Sequence, residues 1–330
     1  MPTIWVLTDD RVGSSNQSLA VADALALPYR TVALEYGASA WLHNAIRRRS
    51  LIGIGERSRE VLQPPWPDLI IASGRRTVPV SLYIKHQTGR RTRIVQIMDP
   101  GWRRHRFDLV FVPRHDGLPP AANVVPITGA PHRVTPERLE REGRLWAPRL
   151  YHLPRPRIAM LVGGPSGSLD FGGDEAHALA AAATRLVAGA GGSLLVTTSR
   201  RTGATVTGIL FDALPEPAFK HGWTPGGENP YVGLLASADA VIATGDSVSM
   251  LSEAAGTGKP LYIFAPPAWV DTTQGRFHRE LYAMGIARPL DASHLDLRSH
   301  PPFNPADEMA AHIGRCCNGR RCGHDGSALT

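Results

Sequence analysis

The chain is poor in cysteine and lysine and has no long apolar run. Its three cysteines, Cys316, Cys317 and Cys322, all fall within the final stretch RCCNGRRCGHDGSALT, so a disulfide framework is not expected and a reducing compartment fits. His324 nominally completes a Cys/His set. Adjacent cysteines do not easily reach one tetrahedral ion, however, and no CxxC pair is present, so no metal site is expected. No window approaches the ~18 apolar residues of a membrane span, and the start, MPTIWVLTDD, lacks a basic stretch leading into an apolar one. The expectation is a cytoplasmic protein, soluble or peripheral at the inner membrane.

What is present is a 330-residue chain of ordinary globular composition, 43% hydrophobic and 20% charged, about twice the ~150 residues typical of one domain. Lys85, Lys220 and Lys259 are the only lysines among 36 basic residues. The arginine bias fits a GC-rich genome as well as selection for anion recognition. Residues 1–150 hold 22 Lys+Arg against 13 Asp+Glu, a balance of +9, and residues 151–330 hold 14 against 16, a balance of −2. Such an asymmetry suits a basic N-terminal face meeting an anionic substrate, a lipid headgroup surface or nucleic acid.

Short apolar runs recur at Ile4–Leu7, Thr31–Leu34, Leu69–Ala72, Arg93–Met98, Leu109–Val112 and Val124–Ile127. Helical or polar stretches between several of them imply a mostly parallel sheet covered on both faces. Residues 135–150 read as a helix, and Leu153-Pro154-Arg155-Pro156-Arg157 as an extended linker, because two prolines do not continue a helix. The pattern then restarts. Strands are expected at Ile158–Val162, Leu194–Thr197, Ala240–Ala243 and Leu261–Phe264, with helices at 174–189, 204–211 and Ser247–Ala255. The fold class predicted is α/β, with two Rossmann-like doubly wound domains facing a cleft. Their bounds are 1–152, a linker at 153–157, 158–314, and a flexible tail at 315–330.

Ligands of open α/β folds bind at the carboxyl ends of the strands, and polar turns collect there in both halves. Gly163, Gly164 and Ser166 lie in the loop GGPSG, between a strand and a helix, where glycine lets backbone approach an anion. Thr198, Ser199, Arg200 and Arg201 follow the next strand and offer hydroxyls and guanidinium forks suited to phosphate. Asn229 and Tyr231 precede a helix-like stretch. The run VIATGDSVSMLSEA is the most informative: it delivers Asp246 to the cleft, and Ser247, Ser249 and Met250 open a helix whose N–H groups can hold a diphosphate. Glu253, on the same helix, can accept from ribose hydroxyls.

In the first half the corresponding turns carry Asp10, Gly13, Asn16 and Gln17, then Gly74, Arg75 and Arg76, then Asp99, then His115. Asp10 or His115 is the candidate general base. Several signatures are missing. There is no G-x-G-x-x-G in the first βα turn, which argues against a dinucleotide-dependent enzyme. Gly258-Lys259 mimics the end of a P-loop, but Pro260 follows and Glu253 stands where its first glycine would be. Neither a G-x-S-x-G elbow nor an HExxH is present.

Taken together, GRR (Gly74–Arg76), PRHD (Pro113–Asp116), TSRRT (Thr198–Thr202), NPY (Asn229–Tyr231), TGDSVSMLSEA (Thr244–Ala254 and on to Ala255) and TGKP (Thr257–Pro260) resemble the mitochondrial fission ELM family of plants and its bacterial homologues. The likeness runs from about residue 4 to about residue 290. Through its glycine loop and acidic strand-to-helix segment the family also looks like the GT-B glycosyltransferases. The resemblance implies a nucleotide-sugar pocket in the second domain, with Gly163, Gly164 and Ser166 near the phosphates, Asp246 to Met250 at the helix start and Glu253 near the ribose. It implies an acceptor held by the first domain. Two departures stand out: Thr244-Gly245-Asp246-Ser247 is less glycine-rich than in GT-B enzymes, and Asp246 would repel a diphosphate unless Arg200 or Arg201 neutralises it. The epimerase label some homologues carry finds no dinucleotide fingerprint and no Tyr-x-x-x-Lys pair here. The function expected is an inverting, metal-independent transfer of sugar from a nucleotide sugar, the substrate, to an anionic lipid-linked or membrane-surface acceptor. No cofactor and no nucleic acid partner are expected. The alternative is a non-catalytic scaffold on the same fold.

Overall fold

The computed structural model describes residues 1–37, 49–101, 103–291 and 294–317, the side chain of Cys317 excepted. The chain divides into two compact units, Met1–Arg133 joined by Pro305 onward, and Val134–Asn304.

The first unit carries six strands, β1 (Ile4–Thr8), β2 (Tyr29–Ala33), β3 (Leu69–Ser73), β4 (Arg93–Ile97), β5 (Leu109–Pro113) and β6 (Val124–Ile127). All pair in parallel, in the order β2-β1-β3-β4-β5-β6. Helices α1 (Val12–Ala24), α2 (Glu56–Val61) and α3 (Val78–Gln87) connect them. Because the inner strands β1, β3, β4 and β5 are buried on both faces, their apolar runs are largely continuous and successive side chains feed opposite cores. Trp5 and Leu7 enter one core with Ile70, Val80 and Ile84; Ile4 and Val6 enter the other with Val21, Ile71 and Phe111.

The second unit opens with α4 (Pro136–Leu150) and continues β7 (Arg157–Val162), α5 (Gly173–Ala188), β8 (Ser193–Thr198), α6 (Ala204–Ala213), β9 (Ala218–His221), α7 (Tyr231–Ser237), β10 (Ala240–Thr244), α8 (Val248–Ala255), β11 (Leu261–Phe264), α9 (Thr273–Ala283) and β12 (Ala287–Pro289). Its sheet is also all parallel, in the order β12-β11-β10-β7-β8-β9. Numbered from its own first strand this is 6-5-4-1-2-3, the Rossmann order. Ile158, Met160 and Val162 pack under α5, while Ala159 and Leu161 pack with α7, α8 and α9.

Two boundaries differ from the sequence expectation. The prolines near 155 do not separate domains: Val134, Trp146, Leu150 and Leu153 are buried in the second unit's core, so α4 belongs with β7 and the division falls at 133/134 rather than at 152. The last helix, α10 (Ala306–Cys317), returns to the first unit, where Met309 and Ile313 are buried beside Val21 and Phe111. The expected second domain to 314 therefore ends earlier, near Asn304. The expected tail from 315 begins inside α10, and its part beyond Cys317 lies outside the described residues. Cys316, near the end of α10, is disulfide-bonded. Among the described residues no helix is long and apolar enough to cross a membrane.

Burial of α10 in the first core has a measurable consequence. Ile313→Ala and Met309→Ala are each expected to cost about 2–5 kcal/mol. Hydrogen exchange should show the loss of protection in β1, β3 and β5 and none in β7 or β10; loss in the second unit instead would contradict the assignment of α10.

Candidate functional site

In a doubly wound sheet a crevice opens where neighbouring strands send their connections to opposite sides. In the second unit that point lies between β7 and β10, and their following loops, Gly163–Gly164 and Gly245–Ser247, sit side by side with the loop after β8. Asp246 is at its centre and is 2% exposed. One carboxylate oxygen accepts from the Thr244 hydroxyl at 2.6 Å; the other accepts from Arg201 Nη2 at 2.6 Å and from the Gly164 N–H at 3.2 Å. Gly163 N–H donates to the Thr244 hydroxyl at 2.7 Å, and Arg201 Nη1 donates to the carbonyls of Gly164 and Pro165 at 2.8 and 3.0 Å. Thr202 Oγ1 donates to the carbonyl of Gly163 and accepts from Ser199 N–H at 3.0 Å.

The two glycines are required by this lacing. A Cβ on Gly163 would collide with the Asp246 carboxylate, and one on Gly164 with the Arg201 backbone. The expected neutralisation of Asp246 by an arginine is thus made by Arg201. His278, which sequence reasoning missed, completes the brace: buried on α9, its Nε2 donates to the Gly245 carbonyl at 2.8 Å. Burial lowers its pKa and so favours the neutral ring, and a carbonyl partner, which only accepts, places the proton on Nε2. No local pattern marks a histidine 33 residues from its partner.

The other candidates divide by exposure. Thr198 is buried, its hydroxyl accepting from Trp223 N–H and from Thr207. Met250 is buried in the core, and Ser247 caps α8 by accepting from Met250 N–H at 3.3 Å. Asn229 accepts from Tyr231 N–H and so starts α7. Ser166, Ser199 and Ser249 are partly exposed and Arg200 is exposed, with no ion pair at Arg200 among the described residues. The first turn of α8 contains no acidic residue.

Tyr231 and Glu253, 22 positions apart, are brought together by the packing of α7 and α8. Burial, first, and the Glu253 charge raise the Tyr231 pKa well above its ordinary value. Burial also raises the Glu253 carboxyl, against opposing effects of the Tyr231 hydroxyl and the Arg138 charge. Lys259, which mimics a P-loop lysine, instead donates to the carbonyls of Leu235 and Ala236 at the end of α7, and burial lowers its pKa to about 8.

In the first unit the crevice falls between β1 and β3. Asp10 and Arg76 form an ion pair across it at 2.5 Å, with the Asp10 side chain 74% exposed, and the Arg76 guanidinium lies 5.0 Å over the Tyr36 ring. Gly74, at φ +77°, turns beside Ser14, and Gln96 donates to its carbonyl at 2.9 Å. Gln17 is buried next to the Ser73 hydroxyl. Gly13 and Arg75 are exposed and Asn16 partly so. Asp99 and His115 stand on the loops after β4 and β5. Asp99 accepts from Gly101 N–H at 3.1 Å and pairs with Arg104 at 3.5 Å. His115 is 4% exposed, with Asp116 4.0 Å from its Nε2.

Two successive parallel six-stranded units, the second in Rossmann order with its polar loops at the switch point, define a protein of the GT-B fold. A UDP-GlcNAc 2-epimerase from Methanocaldococcus jannaschii matches with a TM-score of 0.59 at 12% identity, covering 96% of this chain and 100% of that one. The UDP-GlcNAc 2-epimerase of Neisseria meningitidis, solved bound to UDP-GlcNAc, matches with a TM-score of 0.53 at 13% identity, over 96% and 99%. The family model for mitochondrial fission ELM1 matches residues 12–316, and the chain belongs to that family. Mitochondrial fission protein ELM1 of Arabidopsis thaliana is 30% identical over 291 residues, 80% of this chain and 67% of its own length. An uncharacterized protein of Rickettsia prowazekii is 29% identical over 352 residues, 94% and 97% of the two chains.

The raised Glu253 carboxyl fixes the sign of a pH effect. Its neutral form is favoured by the fold, so its stabilising contribution is complete below its ordinary value of 4.5 and is lost as pH rises through the raised value. Glu253→Gln, neutral throughout, is expected to be more stable than the parent at neutral pH and equal to it in acid, measured by urea unfolding across pH. A parent more stable than the variant at neutral pH would show that ionised Glu253 is held by a favourable partner.

Proposed function

We propose that the second unit binds a nucleotide sugar at the β7/β10 crevice and that the protein is a GT-B-type, metal-independent glycosyltransferase. The observation that carries this is the crevice itself, where α8 starts directly from the β10 loop with no acidic residue in its first turn and Arg200 stands exposed on a neighbouring loop. A helix start and a guanidinium with no ion pair among the described residues suit a diphosphate. Fold neighbours solved with UDP and with UDP-GlcNAc support the ligand class. Ser166, Ser199, Ser249 and Arg200 are the groups that would meet it; Gly163, Gly164, Arg201 and Asp246 would hold the loops in place, and Glu253 with Tyr231 would border the ribose.

In the transfer, an acceptor hydroxyl gives its proton to a carboxylate as its oxygen attacks the anomeric carbon, and the bonding pair leaves with the nucleoside diphosphate. Of the two candidate bases Asp10 fits better, being exposed while His115 is buried. Gly13, Asn16, Gln17, Gly74, Arg75, Arg76 and Asp99 are the proposed acceptor-side groups, and the basic balance of the N-terminal half supports an anionic or membrane-held acceptor.

A specific observation favours a second reading, a scaffold without turnover. The most polar part of the crevice is satisfied internally, since both Asp246 oxygens and the Arg201 guanidinium already have partners.

Thermal shift against UDP, UDP-GlcNAc and other nucleotide sugars separates the readings. A bound donor at 100 times its Kd should stabilise by about 2.7 kcal/mol. Arg200→Ala should weaken that binding on the order of tenfold and leave unliganded stability within about 0.5 kcal/mol. Asp10→Asn should retain donor binding and lose transfer. A flat response across the panel would favour the scaffold, and binding unaffected by Arg200→Ala would remove the crevice as its location.

A further inference from the structure

The first unit contains a second polar concavity, of about 700 Å³, at the sheet edge opposite the Asp10–Arg76 crevice. It lies by the amino ends of β4 and β5, between the end of α3, the turn after it, and the three-residue helical turn Arg104–Arg106. Its volume falls in the range of small-molecule sites.

Its rim is cationic. Arg49, Lys85, His86, Arg90, His105 and Arg106 line it, with Asp108 as the one carboxylate among the described lining residues. Asp108 is already committed. It accepts from Lys85 Nζ at 2.5 Å and from the Ile94 N–H at 2.7 Å, so those two charges cancel locally. Arg49, Arg90 and Arg106 are exposed and have no ion pair among the described residues. Three guanidiniums with no ion pair among the described residues thus line one cavity.

A helix end does not account for this. Cations in a last turn complement the carboxyl-terminal partial charge of a helix, and Lys85 and His86 stand in the last turn of α3. Arg49, His105 and Arg106 come from elsewhere in the chain. Arg90 occupies a conformation that favours glycine. It sits at φ +70° directly after Gly89 at +58°, its N–H donating to the Lys85 carbonyl at 2.8 Å. A non-glycine residue there costs on the order of 1 kcal/mol, yet the position holds a long cation at the rim. Buried Leu82 and Phe107 contribute apolar lining, so the cavity offers guanidinium forks around a dry wall.

We propose that this concavity is a binding site for a phosphate-bearing ligand, its phosphate held by Arg49, Arg90 and Arg106. Guanidinium forks match phosphate oxygens in bidentate geometry, and a volume of this size leaves room for the group that carries the phosphate. The site shares no residue with the proposed sugar-transfer machinery.

The test uses the full chain and two kinds of probe. Inorganic pyrophosphate and glycerol 3-phosphate are titrated by calorimetry, and vesicles of phosphatidylglycerol in phosphatidylcholine are compared with phosphatidylcholine alone by co-sedimentation. Binding of either phosphate source, weakened by salt and reduced on the order of tenfold or more in Arg90→Glu/Arg106→Glu, is the expected result. The soluble arm responding identifies a free organic phosphate; the phosphatidylglycerol arm alone identifies a lipid headgroup. Arg49→Gln/Arg106→Gln, which reverses no charge, repeats the test should the first variant unfold. No binding in either arm, or binding unchanged in both variants, would overturn the proposal.

Discussion

Parallel pairing of every strand is the constraint from which the rest of this molecule follows. A parallel strand needs a crossover to reach its neighbour, so helices cover both faces and all carboxyl ends fall on one edge. In each unit this removes the inner strands from solvent and sends every strand-to-helix loop to the same rim. The polar residues of the chain collect there because the faces have no place for them. Function is directed to that rim before any side chain is specified.

At the rim of the second unit, a buried carboxylate sets the local architecture. An isolated charge in the interior is strongly unfavourable, and Asp246 is tolerated because the Thr244 hydroxyl at the end of β10, a backbone N–H from the loop after β7 and a guanidinium from the loop after β8 converge on it. Those loops must then stay close, which demands glycine at 163 and 164 and a brace from His278 on α9. What looks in sequence like a glycine-rich phosphate loop is therefore, in the first instance, the packing requirement of one aspartate. Ser199 and Arg200 are presented by a loop that Thr202 and Arg201 tie to the loop after β7. Rigid loops that bring fixed donors to a charge serve binding and transfer alike.

The legible part of this fold was the part governed by local composition. β1, β3, β7 and β10 are continuous apolar runs closed by polar turns, and such runs announce a strand buried on both faces. β9, four half-buried residues including Lys220, follows a proline, and β12 is only the three residues Ala287–Pro289; these two strands carry too little apolar pattern to be read. The prolines near 155 imitate a linker because their neighbours' burial, at Trp146 and Leu153, is a tertiary fact. Most of the candidate residues were found by their position after strands. Their division into loop-bracing and solvent-facing groups was hidden, since Gly164 and Asp246 are 82 positions apart and Arg201 and Asp246 are 45 apart.

The charge asymmetry between the halves gains a location from the structure. Arginines spread evenly over a surface would serve solubility and little else. In the first unit some are instead consumed, Arg76 by Asp10, Arg104 by Asp99 and Arg133 by Asp23. Three that have no ion pair among the described residues, Arg49, Arg90 and Arg106, border one concavity at the amino-end edge. A guanidinium without a partner costs nothing while it is hydrated, but several around a single cavity repel one another. That repulsion is relieved when an anion enters, so the same arrangement that disfavours the empty site favours the filled one. The carboxyl-end rim and this opposite edge therefore differ in kind: the first has balanced most of its charges internally, and the second has left them for a ligand.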